Sequence, residues 1–136
     1  MIKMSDETTF SLIGKRLVYE SSTVERWELD VDEIAAIGEY TLAVWPGQDD
    51  YFEVFVTRNG IWHSVPVGIG AWIEVHSRIE HWLGGSIEPI LTRSTRWAHV
   101  ILWPGELTGR PLFEDTRHKQ LELSAELRAY LDHLRA

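Results

Sequence analysis

Histidine is the side chain of this sequence best suited to acid–base or metal chemistry, because imidazole titrates near neutral pH and ligates metals. His63 lies on a predicted strand, where we expect it on an apolar face opposite Val56. His76 and Glu80 are four residues apart on a predicted helix, a spacing that brings two ligands to one face. These three residues define a candidate pocket, although a structural role at the edge of the core or on the helix surface is the simpler interpretation of each. The pair of His76 and Glu80 has no evident third ligand, so the sequence predicts no metal site.

Acidic side chains form a second group, in the loop and strand start around residue 50. Asp49 and Asp50 precede Tyr51, and their carboxylates could in principle hold a hard cation. The loop lacks the regular every-other-residue acidic ladder of calcium loops, so a solvated turn is the simpler interpretation. We therefore treat Asp49, Asp50 and Tyr51, with Trp62 on the next predicted strand, as candidate contacts for a protein partner.

Arginine provides the third group, in the second half of the chain. Arg93, Arg96 and Arg110 could together hold an anion or an acidic surface, because guanidinium groups bind carboxylates and phosphates in pairs of hydrogen bonds. The alternative is a solvated loop whose arginines pair with the protein's own acids. No nucleophile–base motif stands out, so the sequence predicts no catalytic residue and no cofactor.

The net charge of −8 is concentrated in the first half of the chain. Residues 1–68 hold 12 acidic and 5 basic side chains, whereas residues 69–136 hold 9 and 8. Such a surface repels phosphate backbones, which argues against nucleic acid as a partner, and it attracts basic proteins. Cysteine is absent, and no apolar run approaches the roughly 20 residues that span a bilayer. We expect a cytoplasmic protein without membrane contact.

Tryptophan is unusually frequent, with seven residues in 136. Its large apolar body suits a core, and its N–H group also suits a contact surface. We expect most of the seven in or near the core and one or two on the surface, where they would anchor a partner.

The least ambiguous element is a β-hairpin over residues 51–67. Two runs of β-branched and aromatic residues flank Asn59-Gly60, the strongest short-range hairpin signal. A two-residue turn predicts that Val56 faces His63, that Val54 faces Val65 and that Phe52 faces Val67. Trp62 then shares the opposite, mixed face with Tyr51 and Phe55. The apolar face must be covered by other elements, because a hairpin alone is not stable.

Residues before the hairpin predict further strands and one short helix. Short strands are expected at 17–19 and 24–29. Asp30 and Glu33 form a capping box for a helix over Val31–Ala36. A half-buried strand follows, with Tyr40 inward and Glu39 outward, so that residues 37–67 form a three-stranded meander.

After the hairpin the apolar spacing becomes helical. It predicts a helix over 71–83 that ends at Gly84, a buried strand over 97–103, and a closing helix with Ser124 as its N-cap. Residues 86–96 form a loop or a short helix, and 106–117 a surface connection. Residues 118–123 could extend the closing helix or form a strand through Leu121 and Leu123, and we favour an irregular or extended lead-in. Residues 1–9 are expected to be a flexible N-terminus.

These elements predict a single α+β domain over residues 10–136. An antiparallel sheet of five or six strands, built on the meander, is expected to be covered by the 71–83 helix, with the C-terminal helix alongside. A strongly curved sheet closed by a helix is one topology that this element order permits.

The leading functional hypothesis is a non-enzymatic protein-binding domain that an acidic surface steers towards a basic partner. Regulatory interaction modules and small immunity proteins, which neutralise basic toxins, have these general properties. The alternative is a small-ligand site, with catalysis as an option, between the sheet and the 71–83 helix and lined by His63, His76 and Glu80. A homodimer through the hairpin or an unpaired strand edge is a third hypothesis.

Overall fold

The structure is a computed structural model that describes residues 9–21, 25–41, 51–67, 72–91, 97–115 and 121–135. Within these ranges the chain forms antiparallel sheets and two helices, which confirms the α+β class. The strands are β1 (Thr9–Ile13), β2 (Arg16–Glu20), β3 (Arg26–Asp30), β4 (Ile34–Thr41), β5 (Tyr51–Thr57), β6 (Trp62–Pro66), β7 (Ala98–Trp103), β8 (Phe113–Asp115) and β9 (Leu121–Leu123). The helices are α1 (Trp72–Leu83) and α2 (Ala125–Arg135). In the described part, no helix is long and apolar enough to cross a membrane.

The contacts divide the chain into two compact units. The first comprises Met1–Ile34 and Val67–Ser86, and the second comprises Ala35–Pro66 and Ile87–Ala136. The first unit holds 10 acidic and 5 basic side chains, and the second holds 11 and 8. The excess of negative charge is therefore larger in the first unit. That residues 10–136 fold as one domain stays a prediction.

The first unit is the antiparallel sheet β1-β2-β3 packed by α1. Alternate strand residues form one apolar face, on which the rings of Phe10, Tyr19 and Trp27 are mutually in contact and buried. From the helix, Val75 and Ile79 are buried, and Arg78 donates a hydrogen bond from Nη1 to the carbonyl oxygen of Leu12 at 2.7 Å.

Helix α1 lies where the sequence predicts it and ends as predicted. Gly84 has a φ of 75°, and the N–H groups of Gly84 and Gly85 both donate to the carbonyl of Glu80, which is a Schellman-type ending. The predicted packing partner is wrong, because α1 contacts β1 and the turn after β3. The helical period shows only that a helix has an apolar face; it does not reveal which sheet that face meets.

The outer face of this sheet carries a network of ion pairs. Arg16 contacts Glu28 at 3.0 Å and Asp30 at 3.1 Å, and Arg26 contacts Glu28 at 2.5 Å and Glu20 at 3.5 Å. Hydrogen bonds from Arg16 and then Arg26 hold the pKa of the Glu28 carboxyl below its usual value. Glu28 is thus the shared acceptor of two guanidinium groups.

We expect Arg16→Gln to raise the pKa of Glu28 towards the ordinary glutamate value of 4.5. Because folding lowers this pKa, the ion pairs stabilise the fold above the unfolded pKa, and that contribution is lost as pH falls through the folded value. A carbon-13 NMR titration of the side-chain carboxyl measures the shift. Arg128→Gln, in the other unit, is the control and should leave Glu28 unchanged. An unaltered Glu28 pKa in the Arg16→Gln variant would contradict the network.

The predicted capping box after β3 forms, but the α-helix expected to follow it does not. The Glu33 carboxylate accepts a hydrogen bond from the Asp30 N–H at 2.8 Å. The helical segment is only the 3₁₀ turn Val31–Glu33, and β4 begins at Ile34. A capping box specifies where a helical turn begins, whereas the strand partners of Ile34–Thr41 end it at once.

The second unit is a four-stranded sheet in the order β6-β5-β4-β7, with α2 packed on one face and the ribbon β8-β9 beside it. The residues that form its core come from every one of these elements except β6. They are Ala35, Ala36, Val54, Val56, Ile101, Leu112, Phe113, Leu123, Leu127 and Leu131. Ser124 caps α2 as predicted, since its Oγ accepts the Leu127 N–H at 3.2 Å.

The hairpin lies at the predicted position, but its predicted register is wrong by one residue. Thr57 N–H donates to the Ile61 carbonyl at 2.9 Å, so that the loop has three residues, with Gly60 in the left-handed region at φ 83°. His63 therefore faces Phe55, and Trp62 faces Val56. This shift places Trp62 on the face that α2 covers and turns His63 to the opposite face.

Two further expectations in this unit are corrected, and two open ones are decided in the described residues. In β4, Glu39 is buried and Tyr40 is half-buried, the reverse of the predicted orientation. The predicted surface connection 106–117 contains β8, and both Leu112, directly before this strand, and Phe113, its first residue, are buried. The lead-in 118–123 ends in strand β9. Residues 86–91 form no helix or strand.

Candidate functional site: a cleft beside Trp62

The hairpin loop, β9 and α2 surround an open cleft of about 510 Å³ in the second unit. Its residues are Asn59, Gly60, Trp62, Leu121, Glu122, Leu123, Arg128, Leu131, Asp132 and Arg135. Volumes of about 300 to 1,000 Å³ are typical of pockets that bind small molecules. The cleft is thus large enough for a ligand, and its walls combine apolar and charged side chains.

The apolar part of the cleft is positioned by packing that the sequence specifies locally. Leu131 and Leu123 are buried, and Leu131 belongs to the apolar stripe of α2. Trp62 is half-buried and rests on Phe113, with ring centroids 4.8 Å apart. Leu121 is 39% exposed. An incoming apolar group would therefore meet one aromatic ring and one accessible aliphatic side chain.

The charged part of the cleft consists of two arginines and two carboxylates. Arg135 donates to Asp132 Oδ1 at 2.5 Å and to the carbonyl oxygen of Arg58 at 2.9 Å. Arg128 donates to Glu114 Oε1 at 3.0 Å. Each arginine is therefore already paired with a carboxylate of the protein, and neither is available as a free anion-binding group.

An aromatic cluster extends from the cleft across the same sheet face. The buried ring of Phe113 contacts Trp62, Tyr40, Trp97 and His99, with centroid separations of 4.8, 5.9, 6.5 and 5.7 Å. His99 is oriented by its Nδ1, which accepts the N–H groups of Leu112 and Phe113, both at 3.2 Å. These two backbone donors fix the orientation of the His99 ring beside Phe113.

The tryptophans divide as the composition suggests. Trp27 is buried, Trp62, Trp72 and Trp103 are half-buried, and Trp82 and Trp97 are exposed. Trp82 carries the Lys15 ammonium over its ring at 4.8 Å, which occupies part of its face. Trp45 lies outside the described residues.

Tyr51, a predicted contact residue that does not line the cleft, makes a hydrogen bond within the second unit. Its hydroxyl donates to Oε1 of Glu39. The other carboxylate oxygen of Glu39 accepts the N–H groups of Ile90 at 2.8 Å and Leu91 at 2.5 Å. Burial, and next the bond to Glu39, raise the pKa of Tyr51 far above its ordinary value. Tyr51 is therefore a structural donor to a buried carboxylate in the interior of the second unit.

Of the remaining predicted site residues, those that the structure describes do not line the cleft. Arg110 pairs with Glu126 at 3.2 Å, while Asp49, Asp50, Arg93 and Arg96 lie outside the described residues. His76 and Glu80 lie on α1 in the first unit, with Nε2 and Oε2 separated by 3.9 Å.

His63 lies on β6 in the second unit and is half-buried. The candidate pocket formed by these two histidines and Glu80 stays a prediction. Among the described residues, no group of three or more histidine and acidic side chains could hold a metal ion.

Sequence reasoning identified Trp62 and missed the other residues of the cleft. Glu122 and Arg128 lie on β9 and α2 and are far from the hairpin in sequence. A Leu-Glu-Leu alternation at 121–123 was the available signal, but three residues are too few to distinguish a strand from an extended lead-in.

Comparison with protein-family models, with curated proteins and with solved structures finds no match to this chain. The function of the chain is therefore inferred from the geometry of the cleft and its surroundings.

Proposed function

We propose that this protein is a non-enzymatic protein-binding domain and that the Trp62 cleft is its contact surface. The observation that carries the proposal is the placement of Trp62. This ring is half-buried on Phe113 and at the same time lines an open cleft beside the accessible Leu121. Contact residues that dominate binding energy are typically aromatic side chains in such partly enclosed positions.

Charge supports a basic partner. The chain carries a net charge of −8, with the larger excess in the first unit. A field of this sign accelerates association with a positively charged protein, and salt weakens the effect because the Debye length falls to about 8 Å at physiological ionic strength. The two contributions are separable, since the cleft supplies contact energy and the surrounding charge supplies association rate.

Site-specific photo-cross-linking in the native cell tests the proposal. The photo-reactive residue benzoylphenylalanine is placed at position 121, at the cleft, or at position 73, where Ile73 is 76% exposed in the other unit. We expect a protein adduct from position 121 that disappears when Trp62→Ala is added, with its cross-linked peptide identified by mass spectrometry.

When the cross-linking is repeated in cell extract, the yield of the adduct should fall as the salt concentration is raised. An adduct of equal yield from position 73, or one that persists in Trp62→Ala, would contradict the cleft as the contact surface. If no protein adduct forms at either position, the protein-binding function itself is wrong.

A further inference from the structure

Some of the backbone N–H and C=O groups of strand β9 point away from its partner strand, β8. Ser124 N–H donates to the Leu112 carbonyl at 3.0 Å, and β8 and β9 pair Glu114 with Glu122. Hydrogen-bonded pairs alternate along an antiparallel ladder, so the N–H and C=O groups of Leu121 and Leu123 point away from β8. In the part of the chain that the structure describes, β9 has no strand on that other side.

The other strand beside the cleft, β6, is less suited to accept a new strand. Because Thr57 and Ile61 are hydrogen-bonded to each other, the alternation directs the backbone groups of Trp62, Ser64 and Pro66 outward. Pro66 has no N–H group to donate, and proline at such a position is typical of an edge that is protected against strand addition. Strand addition is therefore expected at β9.

The side chains of β9 specify the chemistry of an added strand. Leu121 and Leu123 share one face of the strand, and Glu122 lies on the other. Glu122 faces Glu114, and Glu114 forms an ion pair with Arg128 at 3.0 Å. Among the described residues, no cation lies within ion-pair distance of Glu122. A basic side chain opposite Glu122 would compensate the one carboxylate of the cleft that lacks an ion pair.

We infer that the cleft binds an extended segment of a partner protein in which apolar and basic residues alternate. The backbone of this segment pairs with Leu121 and Leu123. Its apolar side chains lie against Trp62 and the two leucines, and its lysine or arginine side chain lies beside Glu122. The inference rests on the proposed function and adds the chemistry of the partner.

Three short peptides serve as probes, each acetylated and amidated at its ends. The first is Gly-Lys-Leu-Lys-Leu-Lys-Gly, the second replaces every lysine with glutamate, and the third replaces every leucine with serine. Each is titrated into the full, nitrogen-15-labelled chain at 50 mM and 300 mM salt. We expect the first peptide alone to shift the amide signals of Leu121, Glu122 and Leu123 and the indole signal of Trp62.

Substitutions at the cleft test the individual contacts. Trp62→Ala should weaken the affinity for the first peptide about tenfold or more, as for a central aromatic contact. Glu122→Gln should weaken it roughly two- to fivefold at low salt and less at high salt. Glu74→Gln, an exposed carboxylate on α1, is the matched control and should have no effect. If Trp62→Ala fails to fold, the exposed Leu121→Ser replaces it.

Binding of the acidic peptide with equal affinity would overturn the assigned charge. Equal binding of the serine peptide would overturn the apolar contact, and shifts confined to residues outside the cleft would overturn the site. The result is separable from that of the cross-linking experiment. A partner that cross-links at position 121 but contributes an acidic or helical segment refutes this inference and leaves the protein-binding function intact.

Discussion

Gly38→Ala is expected to lower the free energy of unfolding by about 3 kcal/mol, as overpacking of a tightly filled core does. Gly38 is buried in β4, where the register with β7 shifts between Ile37 and Gly38. An added Cβ would lie 2.7 Å from the carbonyl oxygen of Val100 and 2.8 Å from Leu112 Cδ2. Cβ atoms in folded proteins essentially never lie this close to another heavy atom, so that one neighbour has to move.

Neither neighbour can move easily. The Val100 carbonyl belongs to the backbone of a strand in the sheet. The side chain of Leu112 is fully buried in the core that α2 covers. The Leu112 backbone is held at both ends, since its N–H donates to His99 Nδ1 at 3.2 Å and its carbonyl accepts from Ser124 at 3.0 Å. The added methyl group therefore forces apart the sheet and the segment that leads into β8.

Urea unfolding followed by circular dichroism measures the effect, and Gly85→Ala is the matched control. Gly85 is exposed, and an added Cβ there would meet no atom within 4 Å. We expect the control to change the free energy of unfolding by less than about 0.5 kcal/mol. Equal midpoints for the two variants would mean that the contact between β4, β7 and Leu112 is looser than described.

Local interactions are the part of the fold that the sequence predicts well. Gly84 ends α1, Ser124 begins α2, and Glu33 bonds to the Asp30 N–H, each through atoms a few residues apart. Such contacts depend on residue type and spacing alone, so a single sequence contains enough information to identify them.

The hairpin shows where local information becomes ambiguous. Asn59-Gly60 predicts a reversal, and a reversal occurs, but it can be made by a two-residue or a three-residue loop. Here the Thr57 hydroxyl decides the outcome. It accepts the Ile61 N–H at 3.3 Å and donates to the Ile61 carbonyl at 3.2 Å, which favours the longer loop. One residue of loop length exchanges the faces of Trp62 and His63, and with them the expected site.

Contacts between distant segments could not be predicted from sequence. The apolar stripe of α1 fits any exposed sheet face equally well, and its true partner, β1, is 60 residues earlier in the chain. The cleft has the same origin, because Trp62, Glu122 and Arg128 are brought together by packing of α2 on the sheet. Of these residues, Trp62 had a clear signal in the sequence, through its type and its place in the hairpin, whereas Glu122 had only the short Leu-Glu-Leu alternation.

Glu39→Ala is expected to lower the free energy of unfolding by about 3 to 5 kcal/mol. The alternation of β4 placed this side chain in solvent, yet it is only 2% exposed. Its carboxylate accepts the Tyr51 hydroxyl and the N–H groups of Ile90 and Leu91. These three donors explain how a charged group remains in the interior, because a buried carboxylate is tolerated when its oxygen atoms are hydrogen-bonded. Its removal deprives all three donors, on the half-buried Tyr51 and Leu91 and the more exposed Ile90, of their acceptor.

A graded series separates the contributions. Glu39→Gln retains one acceptor oxygen for the two N–H groups and can donate to the Tyr51 oxygen, so its cost should be about 1 to 2 kcal/mol. Tyr51→Phe removes one donor from the carboxylate and should cost a similar amount. Glu88→Ala is the control, since Glu88 is exposed on the segment that leads to Ile90, and its effect should stay below about 0.5 kcal/mol.

Amide hydrogen exchange identifies the mechanism in addition to the magnitude. In Glu39→Ala the amides of Ile90 and Leu91 should exchange faster by a larger factor than the amides of β1 and β2, because the loss of an acceptor opens that segment locally. In Glu39→Gln the exchange rates of these two amides should stay close to those in the unsubstituted protein. If Glu39→Ala is destabilised while these two amides keep their protection, the carboxylate does not anchor the segment, and its burial would need another explanation within the sheet.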